Sequence, residues 1–181
     1  MKTFLLTLTV LFVAMTIPGV QAQSGDIFEA ARNNDVARAT QLIAANTDIN
    51  KPGADGFTPL ILASYSGSPE VVDLLLSHHA AVHTGSRMGN ALMAASFRGY
   101  TEIVAKLLKA GARVNDSNDA GGTALMYAAL SGRTGVVELL LVEGADKGAR
   151  NEKGLDAAAL AEQQGNQELA EMLRGAGKGK P

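Results

Sequence analysis

Two neighbouring stretches between residues 56 and 76 carry apolar residues at helical spacing. In the first, Thr58 can cap a helix and Pro59 suits its first turn, where a missing N–H group costs nothing. The residues Leu60, Ala63 and Ser64 then fall on one face. Gly67 offers the left-handed conformation in which helices commonly end. The pattern predicts a short helix from Pro59 to the residue before Gly67.

A second amphipathic helix is predicted directly afterwards. Ser68 and Pro69 repeat the signal of a capping residue followed by proline. Its apolar stripe consists of Val71, Val72, Leu75 and Leu76. The two stretches together predict a helix-turn-helix unit.

This unit recurs along the chain. Small polar residues that can cap a helix stand at intervals of 32, 33 and 33 residues, at Thr58, Asn90, Thr123 and Asp156. Glycine follows nine residues after each, at Gly67, Gly99, Gly132 and Gly165. A fixed period near 33, built from a turn and two helices, is typical of a stacked repeat protein.

The unit resembles the ankyrin repeat, whose pattern is G-x-T-P-L-H-x-A-A, then glycine, V-V-x-L-L-L and G-A-D-V-N. Gly56-Phe57-Thr58-Pro59-Leu60 matches the beginning, and Gly111-Ala-Arg-Val-Asn115 and Gly144-Ala-Asp146 match the end. The resemblance covers about residues 26–174. Two features depart from it: Ile61, Met93, Met126 and Ala159 replace the motif histidine, and His79 occupies a glycine position.

The resemblance implies an all-α ankyrin-repeat solenoid of about five helix-turn-helix repeats joined by hairpin-like loops. We predict a repeat domain over residues 23–174, with repeats at about 25–55, 56–87, 88–120, 121–153 and 154–174. The first and last repeats are polar on one side, as expected of units that lack a neighbour. Residues 175–181 contain no apolar residue larger than alanine and are predicted to be a disordered tail.

The N-terminal residues 1–22 are predicted to be a cleavable signal peptide. Lys2 precedes an apolar run from Phe4 to Ile17, and Val20-Gln21-Ala22 places small residues at a cleavage site. The run is shorter than the ~20 apolar residues of a spanning helix, although a retained membrane anchor is the alternative. We therefore expect an exported protein that begins at Gln23, periplasmic in a Gram-negative bacterium and otherwise secreted, with no stable membrane insertion after cleavage.

Composition narrows the possible partners. The formal net charge is −2, which gives no general attraction to nucleic acid. There is no cysteine, so no disulfide stabilises the fold and the core must do so alone. We expect a monomer that binds another protein.

No pattern of catalytic or metal-binding residues is present. The sequence lacks G-x-S-x-G, P-loop and H-E-x-x-H motifs, and its glycines follow the repeat period. His78, His79 and His83 cluster, but no carboxylate or cysteine stands at matching spacing. We predict no catalytic residue, no cofactor and no metal site. Asn115-Asp-Ser117 forms a glycosylation sequon, and the alternative interpretation is the ordinary asparagine of the V-N pair.

One repeat position predicts a binding surface. Tyr65, Phe97 and Leu130 follow the small-residue pair of successive first helices, 32 and 33 residues apart. In ankyrin repeats this position faces the concave groove, so the three would form an apolar stripe there with Arg98 beside it. Phe57 and Arg87, on the loops, complete the predicted partner-binding set. The alternative is that these side chains pack within the stack.

The expected function is non-catalytic protein binding through the concave helices and loop tips. Within that class, one role is support of an exported enzyme, and another is inhibition of a toxin or immunity against it. A metal-binding protein or an enzyme is the more distant alternative.

Overall fold

Short helices and one two-stranded hairpin make up the part of the chain described in a computed structural model, residues 26–175. The predicted signal peptide and the predicted tail beyond Gly175 lie outside these residues. In chain order the elements are α1 (Ile27–Asn33), α2 (Val36–Ala44), α3 (Pro59–Ser66), α4 (Pro69–Ser77), β1 (Gly85–Ser86), β2 (Gly89–Asn90), α5 (Ala91–Arg98), α6 (Thr101–Lys109), α7 (Ala124–Leu130), α8 (Thr134–Val142), α9 (Ala157–Gln163) and α10 (Gln167–Arg174).

The helices stack in two rows. The odd-numbered helices form an inner row in which each packs against the next, and α2, α4, α6 and α8 form an outer row behind them. Each inner helix also packs against the outer helix that follows it. The predicted all-α solenoid of helix-turn-helix repeats is therefore confirmed.

Small residues allow the inner row to pack closely. One inner-helix position holds alanine in every repeat and is buried throughout, at Ala30, Ala63, Ala95, Ala128 and Ala161. Leucines fill the space between the rows, and Leu107 and Leu140 are fully buried as the period predicts. The core is continuous from the first repeat to the last because each repeat buries its neighbour's apolar face.

The predicted caps of the inner helices are confirmed. The side chains of Thr58, Asn90 and Thr123 accept hydrogen bonds from the backbone N–H three residues on, at 3.3, 3.1 and 3.4 Å. Asp156 does the same for Ala159 at 2.9 Å. Each bond satisfies one of the N–H groups that a helix start leaves unpaired.

The predicted cap at Ser68 is wrong. Ser68 stands at the start of α4, but its side chain makes no capping bond. Its hydroxyl instead contacts the carbonyl oxygen of Arg32 in the preceding repeat at 3.5 Å. The hydrogen-bond acceptor at the start of α4 is also supplied by the preceding repeat. Asn34 Oδ1 accepts a bond from the Val71 N–H at 3.2 Å. A neighbour has replaced the local cap.

The loops between repeats project as fingers that contact one another. In the β1–β2 finger, residues 79–90, Gly85 pairs with Asn90 and Ser86 with Gly89 in antiparallel register. Asn50 Oδ1 accepts a bond from the next repeat, from Ala81 N at 2.8 Å. Asn115 does likewise with Asp146 N at 2.8 Å and donates to Gly144 O at 3.2 Å. The sequon asparagine is therefore a bridge between repeats.

Within residues 26–175, no helix is both long enough and apolar enough to cross a membrane.

Candidate functional site

An open cavity of about 680 Å³ lies between the β1–β2 finger and the inner helices α3 and α5. We call it the Tyr65–Phe97 cavity, after the two side chains on its rim. Its floor is formed by Ile61 and Met93, each only 3% exposed. These residues stand where the family motif has histidine, so apolar side chains line the cavity at those positions.

The rim carries exposed aromatic rings. Tyr65 is 46% exposed and Phe97 is 37% exposed, and both line the cavity. Phe97 meets Tyr127 of the next inner helix edge to face, with ring centroids 6.3 Å apart and an interplanar angle of 84°. That arrangement is favourable for aromatic pairs and fixes one side of the rim.

Met88, on the β1–β2 finger, lines the cavity and is 69% exposed. Its backbone is fixed by the following finger and inner helix, because the Tyr127 hydroxyl and the Asn118 amide donate to its carbonyl oxygen at 3.3 and 3.2 Å. Asn118 also donates to the Tyr127 oxygen at 2.8 Å. The wall of the cavity is therefore held in place by polar contacts.

The close approach of this wall requires a glycine. Gly89 has φ +131°, and a Cβ atom there would lie 2.6 Å from the Met93 sulfur. The backbone angle is one that residues with a side chain rarely adopt, and a Cβ atom would also force the Met93 side chain to move. The finger can then lie directly on the side chain that forms the cavity floor.

Positive charge lies at the edge of the cavity. The Arg98 guanidinium stands over the Tyr65 ring, 5.1 Å from its centroid, and 5.8 Å from that of Tyr100. It donates to the Tyr100 hydroxyl at 3.3 Å, and this bond is the main reason that the pKa of Arg98 is raised above its ordinary value. Interactions of this kind hold the cation in place over the rings.

The arginines at the cavity differ in their partners. Arg32 is paired with Asp55 at 3.6 Å, and both line the cavity. Among residues 26–175, Arg98 and Arg133 have no carboxylate within ion-pair distance. Arg133 donates from Nε to the carbonyl oxygen of Phe97 at 3.3 Å. Two arginines without a carboxylate partner among the described residues therefore flank Phe97, at one end of the rim.

The structure brings some of the predicted residues together. Tyr65, Phe97 and Phe57 line the cavity, with Arg98 against the Tyr65 ring. Leu130 is half-buried against the core and does not line it. Arg87 does not line it either, and faces Asp119 at 3.8 Å with most of its side chain in solvent.

Sequence reasoning missed Met88 and Tyr127. A signal for Tyr127 existed, since it stands in register with Leu62 and Ala94, 32 and 33 residues apart, and all three line the cavity. Met88 has no such signal because its position depends on contacts with Asn118 and Tyr127, which lie 30 and 39 residues away in the sequence.

Two of the three clustered histidines have local structural roles. His79 has φ +60°, the left-handed conformation expected at a glycine position. His83 lies 3.7 Å from the Asp116 carboxylate. No group of three potential metal-binding side chains occurs in the described residues.

Comparison with known families agrees with this architecture. The family described as ankyrin repeats (3 copies) matches residues 27–118 and 92–180. The chain belongs to the ankyrin-repeat family. Ankyrin repeats generally mediate protein–protein interactions, and the family is typically not enzymatic.

Several known proteins match this ankyrin-repeat chain over about half of its length. A probable E3 ubiquitin-protein ligase XBOS31 of Oryza sativa subsp. japonica is 36% identical over 92 residues, which is 49% of this chain and 21% of that protein. The ankyrin repeat and SAM domain-containing protein 6 of Rattus norvegicus is 34% identical over 92 residues, 49% of this chain and 10% of that protein. The BRCA1-associated RING domain protein 1 of Caenorhabditis elegans is 32% identical over 105 residues, 57% and 15% respectively. This chain thus spans at most about a fifth of these relatives' lengths.

Proposed function

We propose that this protein is an exported, non-catalytic scaffold that binds a partner protein through the Tyr65–Phe97 cavity and its rim. It acts as a monomer, and its role is the support of an exported enzyme. The observation on which the proposal rests is the exposure of Tyr65, Met88 and Phe97 around one cavity. Five large hydrophobic side chains are exposed among residues 26–175, and these three cluster. Exposed apolar clusters favour a binding surface over a merely solvated one.

Rigidity supports the same proposal. The cavity is framed by helices whose neighbours pack on both sides, and its finger wall is held by Tyr127 and Asn118. A surface that is already ordered loses little conformational entropy on binding, which favours affinity. Bulky aromatic side chains at the centre of such a surface are frequent binding hot spots.

The absence of catalytic motifs in the sequence supports a binding role over an enzymatic one. Export is proposed from Lys2, the apolar run and the small residues before Gln23.

A comparative pull-down tests the binding proposal. Residues 23–181 serve as bait in an extract of exported proteins, beside the variant Phe97→Ala, and bound proteins are identified by mass spectrometry. A specific partner should be purified and should bind wild type with a measurable Kd, with Phe97→Ala weaker by roughly thirtyfold. A purified partner that binds both forms equally would place the contact elsewhere on the repeats.

A second measurement tests export. N-terminal sequencing of the native protein should begin at Gln23. A native chain that retains Met1 in the cytoplasm would contradict this part of the proposal.

A further inference from the structure

We infer that the Tyr65–Phe97 cavity receives a segment of a partner protein that combines a bulky apolar side chain with a nearby acidic side chain. This inference rests on the proposed function and names the chemistry of its partner. The apolar side chain would enter the cavity between Tyr65 and Phe97, and the acidic group would meet Arg98.

The shape of the cavity favours a protein segment over a small molecule. Its volume of about 680 Å³ is within the usual range of ligand pockets, but such pockets bury most of the ligand's surface. Here the apolar rim itself stands in solvent, with Met88 69% exposed and Tyr65 46% exposed. An occupant that covers both the floor and these outer surfaces must extend beyond the cavity.

The arginines beside Phe97 indicate why the partner segment should carry an acidic side chain. Arg98 and Arg133 lie beside Phe97 with no carboxylate partner among the described residues, although the chain carries a formal net charge of −2. The Arg98 side chain is already held against Tyr65 and Tyr100, so little side-chain freedom is lost when it pairs with an acid. Complementary charge at this point therefore selects the partner.

Three arginines on the fingers differ from Arg98 because each faces a carboxylate. Arg87 faces Asp119 at 3.8 Å, Arg113 faces Asp116 at 3.3 Å and Arg150 faces Asp156 at 3.5 Å. The guanidinium groups of these three loop arginines are thus paired within the protein. Arg98, which faces no carboxylate among the described residues, stands over the Tyr65 ring of the cavity, and this places the apolar and the acidic requirement at one site.

Selection from a displayed library of random twelve-residue peptides tests the inference directly. Residues 23–181 are the bait, and binders to the Phe97→Ala variant are removed by counter-selection. Enriched peptides should contain a large aliphatic or aromatic residue within about four positions of Asp or Glu. Synthetic copies should lose roughly thirtyfold or more in affinity for Phe97→Ala. Met88→Ala, at a more exposed position, should weaken them too, and thermal melting of both variants verifies that they are folded.

A charge reversal provides the sharpest arm of the experiment. The same selection on Arg98→Glu should enrich Lys or Arg in place of Asp or Glu, and acidic peptides should bind it at least tenfold more weakly. Lys109→Glu is the matched control, because it makes the same change in net charge on the exposed end of α6. That variant should retain the acidic preference.

Several outcomes would overturn the inference. These are the recovery of no peptides, peptides that bind Phe97→Ala as well as wild type, and an acidic preference that persists in Arg98→Glu. Saturable binding of dodecanoate that displaces the selected peptides would reassign the cavity to a small amphiphile. None of these results removes a partner that is found by pull-down and weakened by Phe97→Ala. Such a partner would still bind at the cavity but without the predicted pair of apolar and acidic side chains, so the proposed function and this inference fail separately.

Discussion

The outer helices of the end repeats and of the middle repeats begin in different ways. In the first and last repeats, Asp35 and Asn166 cap their own helices, accepting from Arg38 N at 2.9 Å and from Leu169 N at 3.1 Å. The equivalent residues of the middle repeats, Ser68, Tyr100 and Arg133, make no such bond.

The middle residues contact the preceding repeat instead. Ser68 reaches the carbonyl oxygen of Arg32, and Arg133 reaches that of Phe97. The Tyr100 ring lies so close to Gly67 that a Cβ atom there would be 2.6 Å from it. A middle repeat thus uses this position for coupling between units, whereas an end repeat uses it for local helix stability.

The largest effect is expected for a core truncation in the middle of the array. Leu107→Ala should lower the free energy of unfolding by ~2–5 kcal/mol, because a fully buried side chain leaves a cavity between α6 and its neighbours. Leu173→Ala, in the last helix, should cost less, since a terminal helix can adjust or fray. Urea denaturation gives both values. Equal losses would contradict the difference between middle and end repeats.

Two glycine substitutions measure the contact of Tyr100 with the preceding repeat. Gly67→Ala and Gly165→Ala both place a side chain at positive φ, +76° and +78°, which costs ~1–2 kcal/mol. Only the first new Cβ meets a ring, that of Tyr100, so Gly67→Ala should cost ~1–3 kcal/mol more. Thermal or urea unfolding measures the difference. Tyr100→Ala in the same chain should remove that excess, and its persistence would show that the ring is not responsible.

Removing the residue at the start of an outer helix should change the stability less, and by different amounts in end and middle repeats. Asn166→Ala removes a side-chain acceptor at the start of α10 and should cost ~1 kcal/mol. Ser68→Ala removes only a 3.5 Å contact and should cost about 0.5 kcal/mol or less. Urea denaturation midpoints, compared at an unchanged dependence of the unfolding free energy on urea, measure the loss of stability in each variant. A greater loss from Ser68→Ala would reverse the assignment of local and coupling roles.

The smallest effect concerns pH at the junction between the first two repeats. The Asn34 amide donates to the Glu70 carboxylate, and this bond, followed by one from the Glu70 backbone, lowers the pKa of Glu70. A lowered pKa stabilises the fold above the unfolded value of about 4.3, and the contribution is lost as pH falls through the folded value. Asn34→Gly should therefore raise the Glu70 pKa in an NMR titration and flatten this part of the stability profile.

Asn46→Gly is the matched control for that experiment. Asn34 and Asn46 both have positive φ, 54° and 60°, so glycine fits the backbone at either place. The control should leave the Glu70 pKa unchanged. A similar shift in both variants would assign the effect to the backbone.

The sequence predicted the parts of the fold that depend on local chemistry or on the period. The inner caps at Thr58, Asn90 and Thr123 need only residues three positions away. The cap at Ser68 was predicted wrongly because its replacement, Asn34, lies 37 residues from the N–H that it serves. The capping preference of a residue takes into account only the residues next to it in the sequence. It therefore misses a hydrogen-bond acceptor that another repeat supplies.

The same distinction applies to the candidate site. Register alone indicated Tyr65 and Phe97, because one repeat position has one orientation. It did not separate Leu130, which packs on the core, from Tyr127, which lines the cavity. Met88 was not predictable, since a finger residue is positioned by hydrogen bonds between units, and its exposure follows from them.

The stacking of each inner helix on the next also determines how the chain can fold. Helices that pack together across the repeats belong to adjacent units, so the segments between them stay short. Closing short loops costs little entropy, and proteins rich in such near contacts fold quickly. At ~5–20 residues per second, a unit of 33 residues takes about 2–7 s to be synthesised, far longer than the microseconds in which helices form. The helices of each repeat can therefore form, and dock on the repeats before them, while the next repeat is still being synthesised.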